Sequence, residues 1–331
     1  MIQIKGIERH YELGKWFRNR YTGFLSEEYS PNDIRVVSTD VDRTLMSAAS
    51  NLAGLYPPPD SQIWNDDLLW EPIPIHTTAS ENDEILYMGK ECPKYIKLHD
   101  EFTSSDYFKN ISIENKDLFE YISNHTGWNV TTLDEIGFLY SIFYIYQNYN
   151  ASYIPAWANN LDQEKFNYLA GLSFASLTFT DDLKRLRVGP FLNYLTNYFE
   201  NVVENVTDTP KFLMLSAHDI TLSSVLNGMG AYDNWPPEYA STIIWELRRN
   251  NSGMYYINLL YKKNSTNILE KLTVNGCTFN CAFDDFKINL KSIIVNTTDW
   301  EEECLKINHA TKFKSYWTLM LLVKVILFCF T

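Results

Sequence analysis

The pair His218-Asp219 has the residue types needed for acid–base chemistry on a phosphate ester. It follows the apolar run "KFLMLS" and precedes "ITLSSVLNGMG", which is typical of a helix that ends at glycine. Ligands of α/β sheets lie beyond the carboxyl ends of the strands, and helix N-termini attract anions. This position suits His218 for contact with a phosphate and Asp219 for protonating a leaving oxygen. A His-Asp pair that only caps a helix is the alternative.

A second candidate site is the run Asp40, Asp42 and Thr44 in "VVSTDVDRTLMSA", which follows a β-type stretch. Its D-x-D-x-T spacing resembles that of the haloacid-dehalogenase phosphatases. That resemblance implies that Asp40 is a nucleophile, that Asp42 is the acid/base and that magnesium binds between them. The alternative is that Asp40 caps the next helix and that Asp42 pairs with Arg43 or another buried cation.

The elements that position these candidates follow from the hydrophobic pattern. Residues 6–22 and the segment "TLMSAASNLAGLY", which stops at "PPP", have helical periodicity. From about residue 92 to 200 the pattern is helical, with loops that carry sequons and Pro155. The predicted strands are "IRVV", "KFLMLS", "STIIWELRR" and "MYYINLLYKK", the last two joined by the turn "NNSG". This order predicts an α/β core with an α-helical cap.

Composition and charge exclude one class of partner. The chain of 331 residues has 45% hydrophobic residues and a net charge of −13, with a sequence pI of about 4.9. It has no basic patch that neutralises phosphate backbones, which argues against nucleic acid as a partner.

Sequons and cysteines indicate the secretory pathway. Eight N-x-S/T sequons lie in polar stretches, where they favour a glycosylated protein. They are at Asn110, Asn124, Asn129, Asn150, Asn205, Asn250, Asn264 and Asn296. Of the five cysteines, Cys277 and Cys281 are close together, Cys92 and Cys304 are far apart, and Cys329 lies in an apolar tail. Two disulfides and one spare cysteine are the simplest interpretation, and a CxxxC zinc half-site is the alternative.

The two ends of the sequence have different characters. The opening "MIQIKGIERHYELG" lacks the apolar region and cleavage site of a signal peptide, so we expect an N-terminally incomplete form. Residues 313–331 form an apolar tail interrupted by Lys324. The tail is short for a membrane span, and the alternatives are a GPI-type signal or a buried terminal helix.

Several separated blocks decide between the two candidate sites. The stretches "HYELGKWFRNRYTGFL", "STDVDRTLMSAASNLAGLYPP", "WEPIPIHT", "CPKY", "GPFLNYL", "LSAHDITL" and "YASTIIWELR" occur in this order between about residues 6 and 304. Together they closely resemble the animal histidine acid phosphatases of the prostatic and lysosomal type. Because this resemblance covers nearly the whole chain, it outweighs the five-residue dehalogenase match.

The resemblance implies an acid phosphatase that hydrolyses phosphate monoesters through a phosphohistidine, without metal or other cofactor. In that scheme His218 binds phosphate and Asp219 donates the proton to the leaving alcohol. The implied fold is a mixed-sheet α/β sandwich, phosphoglycerate-mutase-like, with an α-helical cap insert. The phosphatase domain would span 1–305, with its core at about 1–91 and 208–305 and its cap at about 92–207. The implied disulfides are Cys92–Cys304 and Cys277–Cys281, and relatives are usually homodimers.

Two departures from the family pattern put turnover in doubt. The R-H-G-x-R-x-P motif, which carries the nucleophilic histidine, is absent from all 331 residues. In the family it lies on the first strand, which is central in the sheet, so its absence would open neighbouring strand edges. Arg9-His10 does not replace it, since His10 lies on the packed side of the first predicted helix.

The second departure is Val37, which stands where the family usually has a phosphate-binding arginine and which cannot donate a hydrogen bond. Arg35 would point to the same face of the strand but starts about 6–7 Å farther along it, which makes it a distant candidate replacement.

We therefore expect an acid phosphatase whose turnover is impaired, located in the secretory pathway as an extracellular, lysosomal or membrane-attached protein. The first alternative is a pseudophosphatase that only binds. The second is a magnesium-dependent phosphatase that uses Asp40 and Asp42.

Overall fold

Two β-sheets and eleven α-helices make up residues 4–263 and 268–306, which the computed structural model describes. The first sheet is parallel and has the strand order β2-β1-β3. Its strands are β1 (Ile34–Thr39), β2 (His76–Thr78) and β3 (Phe212–Ser216). Because β1 and β3 run in the same direction in adjacent positions, the residues that follow them meet at one edge of the sheet.

The second sheet is antiparallel and is built around a central strand. In it β5 (Tyr255–Lys262) pairs with β4 (Thr242–Arg249), β6 (Glu270–Leu272) and β7 (Asn280–Ala282). A turn with Gly253 at φ 86° joins β4 to β5, and glycine adopts this conformation without steric cost. The two long strands fall where the sequence predicts them.

Both sheets lie between the same two apolar layers. One layer includes Ile34 and Val36 of β1 and Ile244 of β4. The other contains Leu215 and Trp245, packed against buried residues of helices α8 to α10. Side chains alternate between the layers with the period of two that an extended chain dictates.

Helices α1 (Ile4–Arg20) and α2 (Asp42–Leu55) cover one face of the parallel sheet and touch each other through glycines. A Cβ added to Gly14 would lie 2.0 Å from the backbone oxygen of Asn51, and one added to Gly54 would lie 2.1 Å from that of Tyr11. No other residue permits this approach, so the two helices pack backbone against backbone.

Six helices fill the range in which the cap is expected. They are α3 (Pro93–Thr103), α4 (Asp106–Glu114), α5 (Lys116–Thr126), α6 (Leu133–Tyr149), α7 (Gln163–Ser176) and α8 (Asp181–Val203). Helices α4 to α7 supply most of a separate apolar core, which we call the cap cluster. Its fully buried members include Ile122, Leu133 and Ile136. Helix α8 has a different role, since Val188 to Phe199 pack in the core beneath the sheets.

The remaining helices close the core. Helix α9 (Asp219–Gly228) follows β3, and α10 (Phe283–Leu290) and α11 (Thr297–Leu305) follow the second sheet. The structure contains the disulfides Cys92–Cys304 and Cys277–Cys281, the pairs that the family resemblance implies. The first of these joins the residue before α3 to α11.

Seven of the eight sequons lie in the described residues, and six of their asparagines are exposed, while Asn250 is half-exposed. Asn264 and the apolar tail, with Cys329, fall outside the described residues. Within the described part of the chain, no helix is both long enough and apolar enough to cross a membrane.

Candidate active site

The loops after β1 and β3 bring His218, Asp219 and Arg43 together. Thr39 ends β1, Arg43 lies in the first turn of α2, and His218 is the residue that precedes α9. The two strands are adjacent and parallel, and this is why residues about 175 positions apart in sequence come into contact. The site therefore stands at the carboxyl edge of the parallel sheet, as the sequence predicts for His218 and Asp219.

Two hydrogen bonds fix the ring of His218. Arg43 Nη2 lies 3.0 Å from His218 Nδ1, and Thr39 Oγ1 lies 3.0 Å from His218 Nε2. Arginine only donates, so Nδ1 accepts and Nε2 carries the proton that it donates to Thr39. The Thr39 hydroxyl in turn lies 2.7 Å from the Thr44 hydroxyl, which donates to the carbonyl of Val41 at 2.8 Å. This chain of hydrogen bonds holds the imidazole neutral in a single tautomer.

Burial shifts the pKa values of the two candidate residues in opposite directions. Burial, followed by the positive charge of Arg43, lowers the pKa of His218 to about 4. Asp219 opens onto a cavity, but the protein that encloses this cavity displaces water from its carboxyl and raises its pKa. The amide of Ile220, which donates to Asp219 Oδ1 at 2.8 Å, and the charge of Arg43 offset this effect in part. A raised pKa keeps a carboxyl available as a proton donor to higher pH.

The cavity beside the site has a volume of about 1090 Å³ and lies between the two sheets. It is lined by every residue of β3 and by Thr242 to Arg248 of β4, and we call it the strand cavity. Among the described residues β3 pairs with β1 alone and β4 with β5 alone, so each strand turns an unpaired edge toward this space. His218, Asp219 and Arg43 lie among its lining residues as well.

Val37, which departs from the family pattern, and Arg35, its candidate replacement, lie apart from this junction. Val37 is half-buried and packs against the apolar core, where its side chain offers no hydrogen bond. Arg35 is exposed and interacts with the hydroxyl of Tyr194 on α8, and it is not among the residues that line the strand cavity. The structure thus does not bring Arg35 to His218.

The D-x-D-x-T residues are divided between different environments. Asp40 and Asp42 are exposed, whereas the Thr44 hydroxyl is buried in the hydrogen-bond chain to His218. Val41, not Asp40, is the N-cap residue of α2. Across residues 4–263 and 268–306, no three His, Cys, Asp or Glu side chains come together in a group that could hold a metal ion.

Two residues near the site have roles that the sequence interpretation did not assign. Sequence analysis gives Arg43 only as a partner of Asp42, yet its side chain contacts His218. Its position four residues after the end of β1, close to the carboxyl edge of the sheet, is the sequence feature that could have indicated this role. His10 lies on α1 as expected, but it lines the strand cavity, and burial lowers its pKa to about 4, with the Arg9 charge second.

Comparison with known proteins identifies the family. A family model described as "Histidine phosphatase superfamily (branch 2)" matches residues 3–262. Lysosomal acid phosphatase of Xenopus laevis is 35% identical over 90% of this chain and 69% of its own length. Prostatic acid phosphatase of Homo sapiens is 33% identical over 92% of this chain and 78% of its own.

Solved structures agree on the fold. The phytase of Citrobacter braakii superposes with a TM-score of 0.67 at 16% identity, covering 92% of this chain and 90% of that one. The apo phytase of Hafnia alvei superposes with a TM-score of 0.66 at 15% identity, covering 92% and 88%. The lysosomal and prostatic relatives, taken with the disulfides, fit a protein of the secretory pathway. The chain belongs to the histidine phosphatase superfamily, branch 2, and its relatives support acid phosphatase function, the hydrolysis of phosphoric monoesters.

Proposed function

We propose that His218 and Arg43 hold the phosphate of a monoester substrate and that Asp219 protonates the leaving alcohol. The observation that carries this assignment is the contact of Arg43 with His218 beside the carboxyl of Asp219. The Arg43 guanidinium supplies hydrogen bonds to phosphate oxygens and a positive charge that stabilises the transition state, and the neutral imidazole of His218 supplies an N–H when it turns from Thr39. A carboxyl with a raised pKa is suited to act as general acid at mildly acidic pH.

The nucleophile is the part of this scheme that the printed sequence does not contain. In the family scheme an imidazole nitrogen attacks phosphorus, an N–P bond forms, and the P–O bond to the alcohol breaks as Asp219 gives up its proton. Water then attacks phosphorus and passes a proton to the Asp219 carboxylate. The N–P bond breaks, which releases inorganic phosphate and restores both the imidazole and the acid. No R-H-G-x-R-x-P sequence occurs in the 331 residues, so we expect this polypeptide to turn over slowly or not at all.

The strand cavity is suited to the element that would carry this nucleophile. It is bounded by two strand edges that have no partner in the part of the chain that the structure describes, and both faces of the sheets there meet apolar layers. A strand inserted between such edges gains backbone hydrogen bonds on both sides and buries side chains on both faces. If it ran parallel to β3, its carboxyl end would stand next to His218, because β3 ends there.

The experiment compares the chain alone with the chain supplied with such a strand. Hydrolysis of p-nitrophenyl phosphate at pH 5 is measured without and with a synthetic peptide that has an apolar strand sequence followed by Arg-His-Gly-x-Arg-x-Pro. We expect activity to depend on the peptide and to be insensitive to EDTA. Control peptides with alanine at the histidine should be inactive, and Asp219→Asn should reduce the restored rate by about 10²- to 10⁴-fold.

Three outcomes would contradict parts of this assignment. Activity that EDTA abolishes would favour the magnesium-dependent alternative with Asp40 and Asp42. Activity that Asp219→Asn leaves unchanged would exclude Asp219 as the proton donor. Peptide binding without any hydrolysis would favour the pseudophosphatase, the second candidate function, which Val37 favours because it removes a phosphate-binding arginine.

Partners and location complete the proposal. We infer a phosphomonoester as substrate, a protein that is extracellular, lysosomal or membrane-attached, and a homodimer. The exposed sequon asparagines support glycosylation in the secretory pathway. Sedimentation tests the dimer, and detergent extraction of the full chain tests membrane attachment through residues 313–331.

A further inference from the structure

An open hollow on one face of the antiparallel sheet is bordered by basic residues, although the chain has a net charge of −13. Its volume is about 380 Å³, and we call it the sheet-face pocket. Three cations line it, Arg20, Arg248 and Lys271, against one carboxylate, that of Glu246. The pocket therefore has an excess of two positive charges, which favours an anionic ligand.

The register of the sheet places these cations at two ends of the same face. Tyr256 and Leu260 of the central strand β5 both line the pocket, and side chains four residues apart on a strand share a face. Arg248 of β4 lies opposite Tyr256, and Lys271 of β6 lies opposite Leu260. The two cations therefore start from positions about 13 Å apart along the strand direction, and the pocket lies between them.

Glu246 fixes a pair of arginines at the first end. Its Oε1 accepts from Arg20 Nε at 3.2 Å and Nη2 at 2.5 Å, and its Oε2 accepts from Arg248 Nε at 3.0 Å and Nη2 at 2.5 Å. Burial acts to raise the pKa of Glu246, but hydrogen bonds from Arg248 and Arg20 outweigh it and lower this pKa, so the carboxylate stays ionised at mildly acidic pH. Neither Nη1 contacts an acceptor among the described residues, so both guanidinium groups retain N–H donors in a fixed geometry.

Lys271 supplies the cation at the other end. Its Nζ lies 5.0 Å from the centroid of the Phe279 ring. The neighbouring Glu270 points to the opposite face, where it pairs with Lys263 at 3.4 Å. Within residues 4–263 and 268–306 no carboxylate forms an ion pair with Lys271, so its charge is available to a ligand.

The middle of the pocket is polar and uncharged. Asn258 is buried, and its Nδ2 donates to the Asn280 Oδ1 at 2.6 Å, which leaves the amide N–H groups of Asn280 for a further acceptor. The volume of about 380 Å³ lies in the range of about 300–1,000 Å³ that is typical of small-molecule sites. A ligand of that size can span the pocket and reach both cationic ends.

We propose that the sheet-face pocket binds a small molecule with two tetrahedral oxyanion groups, phosphate or sulfate, one held by Arg20 and Arg248 and the other by Lys271. The inference goes beyond the proposed function, since none of the three residues assigned to the active site lines this pocket. Guanidinium N–H groups match the spacing of oxyanion oxygens, and the lysine ammonium acts as a point charge.

The test compares two probes that differ only in the number of their anionic groups. Binding of butane-1,4-disulfonate and butane-1-sulfonate to the full chain is measured at pH 5 by ligand-observed NMR titration. We expect the disulfonate to bind about tenfold more tightly, because it forms a charge-assisted contact at each end. Butane-1,4-diphosphonate, titrated in the same way, assigns the ligand to the phosphate class if it binds more tightly than the disulfonate and to the sulfate class if it binds less tightly.

Variants locate the binding. Lys271→Ala should remove the preference for the disulfonate, and Lys271→Arg, which keeps the charge, should retain it. Arg248→Ala should remove it as well. Arg249→Ala is the matched control, since Arg249 is the next residue of β4 and lines neither the sheet-face pocket nor the strand cavity.

Three results would overturn the proposal. The first is equal affinity for the two sulfonates, which would mean that the ends do not act together. The second is a preference that survives both Lys271→Ala and Arg248→Ala. The third is a preference that Arg43→Ala removes, because this would place the binding in the strand cavity, which Arg248 also borders and Lys271 does not.

Discussion

The cap cluster and the strand cavity differ in how completely their apolar side chains are buried. In the cap cluster, Ile122, Leu133 and Ile136 are completely buried among the side chains of neighbouring helices. In the strand cavity, every residue of β3 and most residues of β4 border an open space of about 1090 Å³. The same chain thus contains one core that is closed and one that is open on a side.

The difference follows from how the two kinds of element satisfy their backbones. A helix pairs its N–H and C=O groups within itself, so a group of helices needs only complementary side chains to close a core. An edge strand has unpaired backbone groups that only another extended segment or water satisfies. The helical region therefore closes its core with side chains alone, while β3 and β4 each keep an edge that is unpaired among the described residues, and the junction of His218, Asp219 and Arg43 lies at one end of that open space.

The largest effect is expected from removal of the disulfide that joins the residue before α3 to α11. Cys92 and Cys304 are 212 residues apart, so chain entropy assigns their bridge a stabilisation of about 5 kcal/mol. The bridge Cys277–Cys281 spans 4 residues within the sheet region and is expected to contribute about 2 kcal/mol. Urea unfolding of the two double Cys→Ser variants measures both values. Similar losses would show that loop length does not govern these contributions.

Truncation of one apolar side chain in each region compares them directly. Ile136→Ala should lower the free energy of unfolding by about 2–5 kcal/mol, because a closed core cannot collapse around the new cavity. Leu215→Ala should cost about 1–2 kcal/mol, since Leu215 already borders empty space on one side. Urea titration of both variants provides the measurement, and an equal loss at Leu215 would mean that the strand cavity is filled in solution.

A smaller effect is expected at the junction itself when Arg43 is replaced. Arg43→Ala should raise the pKa of His218 from about 4 part of the way toward its usual 6.5, because burial, the larger cause, remains. Histidine NMR resonances followed from pH 3 to 8 measure the shift. Arg35→Ala, which removes a distant exposed cation, should leave it unchanged, and an equal shift there would contradict a local contact.

The same change should alter how stability depends on pH. Between pH 6.5 and about 4 the unfolded chain protonates His218 while the native chain does not, so this residue lowers stability as the pH falls through that window. Because Arg43→Ala raises the pKa of His218 in the native state, it narrows the pH range in which only the unfolded chain is protonated. Arg43→Ala should therefore show a weaker loss of stability on acidification from pH 6.5 to 4.

The elements predicted from sequence are those with strong periodicity. Residues 6–22, "KFLMLS" and the two strands around "NNSG" correspond to α1, β3, β4 and β5, with ends that differ by one or two residues. The placement of His218 and Asp219 after a strand was correct, because an apolar run followed by a helix start has few other interpretations. Short strands such as β6 and β7 carry too few residues for a period to be visible.

What the sequence could not supply is distance between remote segments. Arg43 and His218 are close because β1 and β3 are neighbours in the sheet. The sequence of neither strand predicts which strand it will pair with. The hydrogen bond from the backbone N–H of Tyr239 to the Tyr144 hydroxyl depends likewise on α6 reaching the segment before β4. Arg35 and Val37 illustrate the converse, since alternation along β1 predicts a shared face but not which neighbour each side chain reaches.

The crossing of α1 and α2 sets a dimension of the strand cavity. Gly14 and Gly54 bring the two helices together, and each helix also contributes to the cavity wall, through His10 on one and Arg43 on the other. A methyl group at either glycine would act as a spacer, forcing the helices apart at their crossing point and moving both walls. The width of the cavity is thus set in part by the hydrogen atoms of two glycines that do not line it.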